Sequence, residues 1–327
     1  MASGTNIPNL RAIEAASQAV YATLSPTPQY RWPLLEQSLG TELWVKHENH
    51  TPTGSFKART AVAYVAQVLQ DDPSISGFIA ATRGNHGQAV ALAARRYDRP
   101  CTIVVPHRNS VEKNAAMRAQ GASLIENGDD FQTAKEHATS LANQLGYHFV
   151  PSCHSLIVAG VASYWMELFR AVPDIDVAYV PIGQGSGVSA AVAARVALGL
   201  KTRLVGVVSD HAPAYALSFE QKRSVDAPAT TRLADGLACR SPDPISLQIV
   251  LDHVETIKRV TDTEIADAMR LYFSATHNVI EGAGAAPLAA ALQDRAALRG
   301  QRVAVIACGG NVDSQVFADV LNGVWAR

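Results

Sequence analysis

Short, continuous apolar runs alternate with helix-period segments along most of the chain. Between residues 77 and 152 there are four such runs: GFIAAT at 77–82, CTIVVP at 101–106, SLIEN at 123–127 and HFVPS at 148–152. Short runs that are apolar at nearly every position are typical of strands buried on both faces, and the helical segments between them suit crossover connections. The pattern predicts a four-stranded parallel sheet with helices between its strands.

A second set of apolar runs lies outside this region. Its members are VAYVPIG at 177–183, RLVGVVS at 203–209 and RVAVIACGG at 302–310. The segment TELWVKHE at 41–48 alternates apolar and polar residues, which predicts an outer strand of the same sheet. Because strands and helices alternate almost throughout, the chain is predicted to be an α/β protein with two lobes.

Composition narrows the class of protein without changing this picture. The chain has 327 residues, 48% apolar and 17% charged, with a net charge of −1. No basic patch stands out and no apolar run reaches the ~18–20 residues of a membrane span, so neither nucleic acid nor a membrane is expected as a partner. The N-terminal residues lack the pattern of a signal peptide. Four widely spaced cysteines predict a reduced, cytoplasmic protein.

A glycine-rich loop follows the predicted strand at 177–183. In PIGQGSGVSA (181–190) the glycines at 183, 185 and 187 allow a tight turn, and their N–H groups form a nest for an anion, most simply a phosphate. A tight turn with no ligand is the alternative. The spacing partly resembles a dinucleotide fingerprint, so a nicotinamide-dependent dehydrogenase is a second alternative. The required acidic residue is out of place, since 203–209 ends in Val-Val-Ser before Asp210.

Two further segments suggest an amino-acid site. Lys57 opens a helical pattern in TGSFKAR, although a structural lysine belongs at the other end of a helix. ATRGNHGQA (81–89) lies at a strand–helix junction where a carboxylate would fit. Such loops meet at the carboxyl ends of parallel strands. A phosphate site, a carboxylate site and a reactive lysine together suit pyridoxal phosphate and an amino-acid substrate.

Six segments, taken in order, resemble the fold-type II pyridoxal-phosphate enzymes, the group of threonine and serine dehydratases (ammonia-lyases) and serine racemase. They are TGSFKAR, RGNHGQAVA, VPIGQGSGV, ADG (234–236), IEGAGAA and CGGN. The resemblance implies a tryptophan-synthase-β-like α/β fold with two lobes, parallel sheets flanked by helices and the cofactor between the lobes. We expect a large cofactor-binding domain at 1–76 and 153–327 and a small substrate-carboxylate domain at 77–152.

The resemblance also implies roles around the cofactor. Lys57 resembles the Schiff-base lysine and Phe56 the residue that packs beside the ring. Asn85 resembles the asparagine bonded to the ring hydroxyl, and Glu281 a glutamate near the ring. Cys308 occupies the place of a Ser or Cys that faces the pyridine nitrogen, where a neutral thiol favours loss of a β-substituent over longer-lived carbanion chemistry.

Two loops complete the implied site. The phosphate loop comprises Gly183, Gln184, Gly185, Ser186 and Gly187, with Gln184 and Ser186 in place of glycines found in many relatives.

The substrate-binding loop comprises Thr82, Arg83, Asn85 and His86. Arg83 stands where serine racemase and many dehydratases have serine. Arginine is a poor proton shuttle, which disfavours racemisation, and a good anchor for a carboxylate. No metal site is expected: Asp235 is present, but Val208 or Ser209 replaces the glutamate with which some relatives bind a divalent cation.

The expected activity is β-elimination from a β-hydroxy-α-amino acid to a 2-oxo acid and ammonia. Threonine or serine is the default substrate, with 3-hydroxyaspartate or phenylserine also open. The alternatives are a racemase or a β-replacement synthase of the same fold, and a non-catalytic protein that binds amino acids or pyridoxal phosphate. A homodimer is expected from the same resemblance.

Overall fold

The computed structural model describes residues 7–326. Its strands are β1 Gln29–Arg31, β2 Glu42–His47, β3 Phe78–Ala81, β4 Cys101–Val105, β5 Ser123–Glu126, β6 His148–Phe149, β7 Val177–Pro181, β8 Arg203–Ser209, β9 Thr256–Val260 and β10 Arg302–Ala307. Its α-helices are α1 Leu10–Tyr21, α2 Pro33–Leu39, α3 Lys57–Asp71, α4 Asn85–Arg96, α5 Val111–Ala119, α6 Phe131–Leu145, α7 Ser155–Ala171, α8 Ser186–Ala197, α9 Ala214–Gln221, α10 Pro244–His253, α11 Asp262–Thr276, α12 Gly282–Gln293 and α13 Ser314–Leu321.

The smaller sheet has four parallel strands in the order β5-β4-β3-β6. Every residue of β3 and β4 is buried, as the apolar runs predicted, because crossover helices cover both faces. Helix α6 begins where the Asp130 side chain accepts from the Thr133 N–H and ends at Gly146 in the left-handed conformation. The predicted parallel sheet is confirmed, and all four of its strands lie within 77–152. The domain boundaries themselves stay a prediction.

The larger sheet has six strands in the order β1-β2-β10-β7-β8-β9. All neighbours are parallel except β1, which runs antiparallel to β2. The prediction that residues 41–48 form an outer strand is wrong, because β1 covers the outer side of β2. With three residues, β1 is too short to show a periodic pattern. Strand β9 was not predicted, since Thr-Ile-Lys-Arg-Val lacks an apolar run.

The fold brings the ends of distant strands to one place. Strand β10 lies between β2 and β7, so the loop after it meets the segment that leads from β2 into α3. An isolated antiparallel bridge joins Ser55 to Gly309, and the Phe56 N–H donates to the carbonyl of Cys308 at 3.0 Å. These contacts fix the start of α3, and with it Lys57, against the end of β10. None of the helices described between residues 7 and 326 is long and apolar enough to cross a membrane.

Candidate active site

One cleft collects every residue that the sequence assigned to a site. Its volume is about 1010 Å³, including the space at its mouth that is open to solvent. The predicted residues along its wall are Phe56, Lys57, Thr82, Arg83, Asn85, His86, Gly183, Gln184, Gly185, Ser186, Gly187, Glu281 and Cys308. They come from the loops after β3, β7 and β10 and from the first residues of α3 and α12. Their individual roles stay predictions.

Lys57 is the first residue of α3 and is half-buried. Its Nζ lies 3.5 Å from Ser186 Oγ and 4.9 Å from the centre of the Phe56 ring. Burial lowers the pKa of the Lys57 ammonium, and nearby thiols and Glu281 only partly oppose this effect. The positive end of the α3 dipole acts in the same direction. Lys57 is therefore placed to lose its proton and act as a nucleophile and base.

The glycine loop offers unpaired donors to an anion. No hydrogen-bond acceptor for the backbone N–H groups of residues 183–187 lies among the protein atoms of residues 7–326. The loop is also closely packed from outside. A Cβ on Gly183 would lie 2.2 Å from the carbonyl oxygen of Gly236, and one on Gly185 would lie 2.3 Å from Cβ of Ser246. An uncapped helix start with free N–H groups fits the phosphate of pyridoxal phosphate.

Replacing Gly185 by alanine should disrupt this nest. Gly185 has φ of +92°, and its new Cβ would also lie 2.7 Å from Oη of Tyr215, whose hydroxyl contacts the carbonyl of Gln184. We expect Gly185→Ala to raise the dissociation constant for pyridoxal phosphate about tenfold to hundredfold, the cost of one lost charge-assisted hydrogen bond. Titration of the cofactor-free protein, followed by absorbance, measures it.

Gly199→Ala is the matched control for this prediction. Gly199 also has positive φ, +63°, but no atom lies within 4 Å of the position of its Cβ. This variant carries the backbone strain alone and should bind the cofactor as tightly as the wild type. Equal affinity of the two alanine variants would contradict the assignment of residues 183–187 as the phosphate loop.

The loop after β3 presents a second uncapped helix start. Thr82 Oγ1 accepts from the Gly84 N–H at 2.9 Å, whereas the N–H groups of residues 85–87 meet no acceptor in the part of the chain that the structure describes. His86 is buried, and burial together with the charge of Lys57 lowers its pKa to about 4, so its ring is neutral at pH 7. The loop can hold a carboxylate with backbone donors alone. Arg83 is exposed at the mouth of the cleft.

Asn85 joins this loop to the opposite wall. Its Nδ2 donates to both carboxylate oxygens of Glu281, at 2.9 and 3.1 Å. Its Oδ1 accepts from Nδ2 of Asn311 at 2.8 Å, and Asn311 also donates to the carbonyl of Thr53 at 2.7 Å. The network connects α4 of the smaller sheet to the start of α12 and to the loop after β10, so it fixes the separation of the two walls.

Glu281 is buried inside this network. Burial raises the pKa of its carboxyl group to about 7, although the charge of Lys113 and the hydrogen bond from Asn85 act the other way. In the unfolded chain the same carboxyl titrates at its ordinary value of 4.5. Between these two values the folded protein holds the extra proton, so the contribution of Glu281 to stability falls as the pH rises.

Glu281→Gln should therefore remove a pH dependence. Glutamine cannot titrate, yet its carbonyl still accepts from Asn85. We expect the unfolding free energy of the variant, relative to that of the wild type, to rise by up to about 3 kcal/mol between pH 4.5 and pH 7 and to stay level above pH 7. Denaturant unfolding of both cofactor-free proteins across this range measures it. A pH-independent difference would show that Glu281 titrates normally.

Cys308 follows β10 and is fully enclosed by the protein. Burial raises the pKa of its thiol well above the ordinary value, and Glu281 adds to the effect. The thiol is therefore neutral at pH 7. The sequence-based expectation of a neutral group at this position agrees with that environment, although its contact with a pyridine nitrogen stays a prediction.

The cleft also contains residues that the sequence did not reveal. Lys113 of α5 lies in the wall, and its Nζ donates to Oδ2 of Asp235 at 2.5 Å. The side chain of Lys113 is 13% exposed and that of Asp235 is 39% exposed. Ser152, after β6, is a third unpredicted wall residue. Lys113 and Asp235 are 122 positions apart, so no local pattern could have paired them.

Metal ligands do not gather at this site. Within residues 7–326, no group of three or more His, Cys, Asp and Glu side chains is placed to hold a metal ion. Asp235, the residue considered for such a role, instead forms the ion pair with Lys113.

The fold and the cleft define an enzyme with a lysine poised beside an anion nest, and comparison with known families identifies the class. The chain belongs to the family described as pyridoxal-phosphate dependent enzyme, whose family model matches residues 20–309. Pyridoxal phosphate, the cofactor expected from the sequence, is thereby confirmed.

Individual relatives narrow the group. The L-threonine ammonia-lyase of Thermotoga maritima is 32% identical over 88% of this chain and 72% of its own length. The L-threo-3-hydroxyaspartate ammonia-lyase of Pseudomonas sp is 31% identical over 94% of this chain and 97% of its own. Among solved structures, a bacterial-type threonine deaminase from T.th. has a TM-score of 0.87 and 31% identity, with 94% and 99% of the two chains covered. Maize serine racemase has a TM-score of 0.90 and 25% identity, with 98% of each chain covered.

Proposed function

We propose that this chain is an ammonia-lyase that removes water and then ammonia from a β-hydroxy-α-amino acid, leaving a 2-oxo acid. The observation that carries the proposal is the position of Lys57, half-buried beside the unpaired N–H groups of residues 183–187 and opposite the second uncapped helix start at 85–87. Relatives named as ammonia-lyases for threonine and 3-hydroxyaspartate support the same reaction.

The residues divide the work by position. The free N–H groups of residues 183–187 would hold the cofactor phosphate, and those of residues 85–87 the α-carboxylate of the substrate. Bound pyridoxal phosphate supplies an electrophilic carbon for the amine and withdraws electrons from Cα. Lys57 Nζ, with its lowered pKa, would take the proton from Cα. The neutral thiol of Cys308 withdraws less charge than a charged partner would, which favours departure of the β-hydroxyl.

The experiment that tests this proposal is an assay of products over a panel of amino acids. The holoenzyme is incubated with both enantiomers and both diastereomers of threonine, serine, 3-hydroxyaspartate and phenylserine. A lyase releases ammonia and a 2-oxo acid in equal amounts without a second substrate. Interconversion of enantiomers without ammonia would instead support the racemase, and dependence on an added nucleophile would support the synthase.

We also propose that the protein is a homodimer in the cytoplasm. Two-fold dimers are the commonest assemblies among soluble homo-oligomers. The four cysteines, all free and three of them buried, suit a reducing compartment. Light scattering on the purified protein tests the first part, and fractionation of the source cells tests the second.

A further inference from the structure

Two cations lie side by side on one wall of the cleft. Arg83 comes from the loop after β3, and Lys113 comes from α5. A Cβ on Gly84 would lie only 2.7 Å from Cδ of Lys113, so the stem of Lys113 passes directly over the residue next to Arg83. The two positive side chains therefore belong to the same part of the wall.

Only one of these cations has a counterion. Lys113 is paired with Asp235 across the cleft. The guanidinium of Arg83 has neither a hydrogen bond nor an ion pair with any side chain or carbonyl between residues 7 and 326, and it is exposed at the mouth. The three side chains together carry a net charge of +1, because Asp235 balances one of the two cations. This part of the wall can therefore accept one more negative charge.

The α-carboxylate of an amino acid does not need Arg83. The unpaired N–H groups of residues 85–87 lie at the start of α4, a helix of 12 residues with no side-chain cap, and its dipole adds positive potential. Those donors satisfy one carboxylate. Arg83 precedes them and points its charge at the remaining space of the cleft, where the side chain of a substrate would extend.

Building on the proposed lyase activity, we propose that Arg83 determines specificity by binding a second carboxylate, on the side chain of the substrate. The preferred substrates are then β-hydroxy-α-amino acids with an acidic side chain. The planar guanidinium suits this task because it forms paired hydrogen bonds with a carboxylate. Lys113 strengthens the local potential, and its pairing with Asp235 keeps the wall from binding a doubly charged group.

The test compares acidic and neutral substrates. We expect the wild-type holoenzyme to have a higher kcat/KM for one isomer of 3-hydroxyaspartate than for threonine or serine. Arg83→Gln should lower kcat/KM for that isomer about tenfold to hundredfold, the value of one charge-assisted hydrogen bond, and leave threonine and serine within about threefold. Arg83→Lys, which keeps the charge but loses the fork, should recover part of the loss.

Arg96→Gln is the matched control. Arg96 is exposed in the last turn of the same helix, α4, outside the cleft, so its replacement changes the same net charge without touching the wall. It should leave both classes of substrate unaffected. Equal losses on acidic and neutral substrates in Arg83→Gln, or no loss on either, would overturn the proposal. So would a wild-type enzyme that releases ammonia from threonine but from no isomer of 3-hydroxyaspartate.

A binding measurement separates this proposal from the lyase activity itself. Aspartate and alanine lack a β-hydroxyl group and differ in the side-chain carboxylate. Their binding to the holoenzyme is followed through the absorbance of the cofactor. Arg83→Gln should weaken the binding of aspartate about tenfold and leave that of alanine unchanged. This result would support Arg83 as the anchor even if no hydroxyamino acid were a substrate, and equal binding of aspartate by both proteins would refute it.

Discussion

Lys57→Ala should lower kcat/KM for the best substrate by about 10⁴-fold or more. The variant loses the nucleophile and the base together, and general acid–base catalysis alone is worth about 10²–10⁴-fold. The cofactor should still bind, because the N–H groups of residues 183–187 belong to another segment and are unchanged. Initial rates of ammonia release, measured on variant and wild type saturated with pyridoxal phosphate, give the ratio.

Lys201→Ala is the control for this variant. Lys201 is exposed before β8 and lies outside the cleft, so its loss should change neither rate nor cofactor binding. If Lys57→Ala retained activity within tenfold of that control, Lys57 would be neither the nucleophile nor the base.

Arg59→Leu should cost about 3–5 kcal/mol of unfolding free energy, the cost of removing one partner from a buried ion pair. Arg59 lies in the first turn of α3, two residues after Lys57, and its side chain is fully buried. It donates to both oxygens of Glu48, at 2.8 and 3.0 Å, and to both oxygens of Glu167, at 2.6 and 3.1 Å. Lys46 donates to Glu167 at 2.5 Å and completes a cluster of two cations and two carboxylates.

The large cost arises because Glu48 would stay buried without a counterion. Adding Glu48→Gln to Arg59→Leu leaves Lys46 and Glu167 as a neutral pair, so the double variant should be more stable than Arg59→Leu alone. Arg170→Leu breaks a pair with Glu14 in which both side chains are more than half exposed, and it should cost at most about 1 kcal/mol. Denaturant unfolding compares all three. A loss of under 1 kcal/mol in Arg59→Leu would contradict the structural role of the cluster.

The sequence allowed the parallel sheets and the three site loops to be predicted for a physical reason. Strands buried on both faces are apolar at successive positions, as in β3 and β4, and their carboxyl ends converge at one edge, which gathers the loops. Strands without that signature were missed. β1 has three residues, and β9 is an edge strand with Lys258 and Arg259 in its middle.

Contacts between distant polar residues could not be predicted either. Asn85 and Glu281 are 196 positions apart, and each is compatible with many surroundings when its sequence neighbours alone are considered. The same holds for Lys113 with Asp235, and for Arg59 with Glu48 and Glu167. Periodicity reports which face of an element is buried, whereas these pairings depend on how separate elements pack against one another.

The central claim is that Lys57 is the residue to which the cofactor attaches. Treating the holoenzyme with borohydride and mapping its peptides by mass spectrometry tests this claim most directly. The account predicts that the cofactor-derived mass is found on the peptide that contains Lys57 and that ammonia release is lost in proportion to the labelling. Labelling of a different lysine, Lys113 included, or full activity after complete labelling of Lys57, would contradict it.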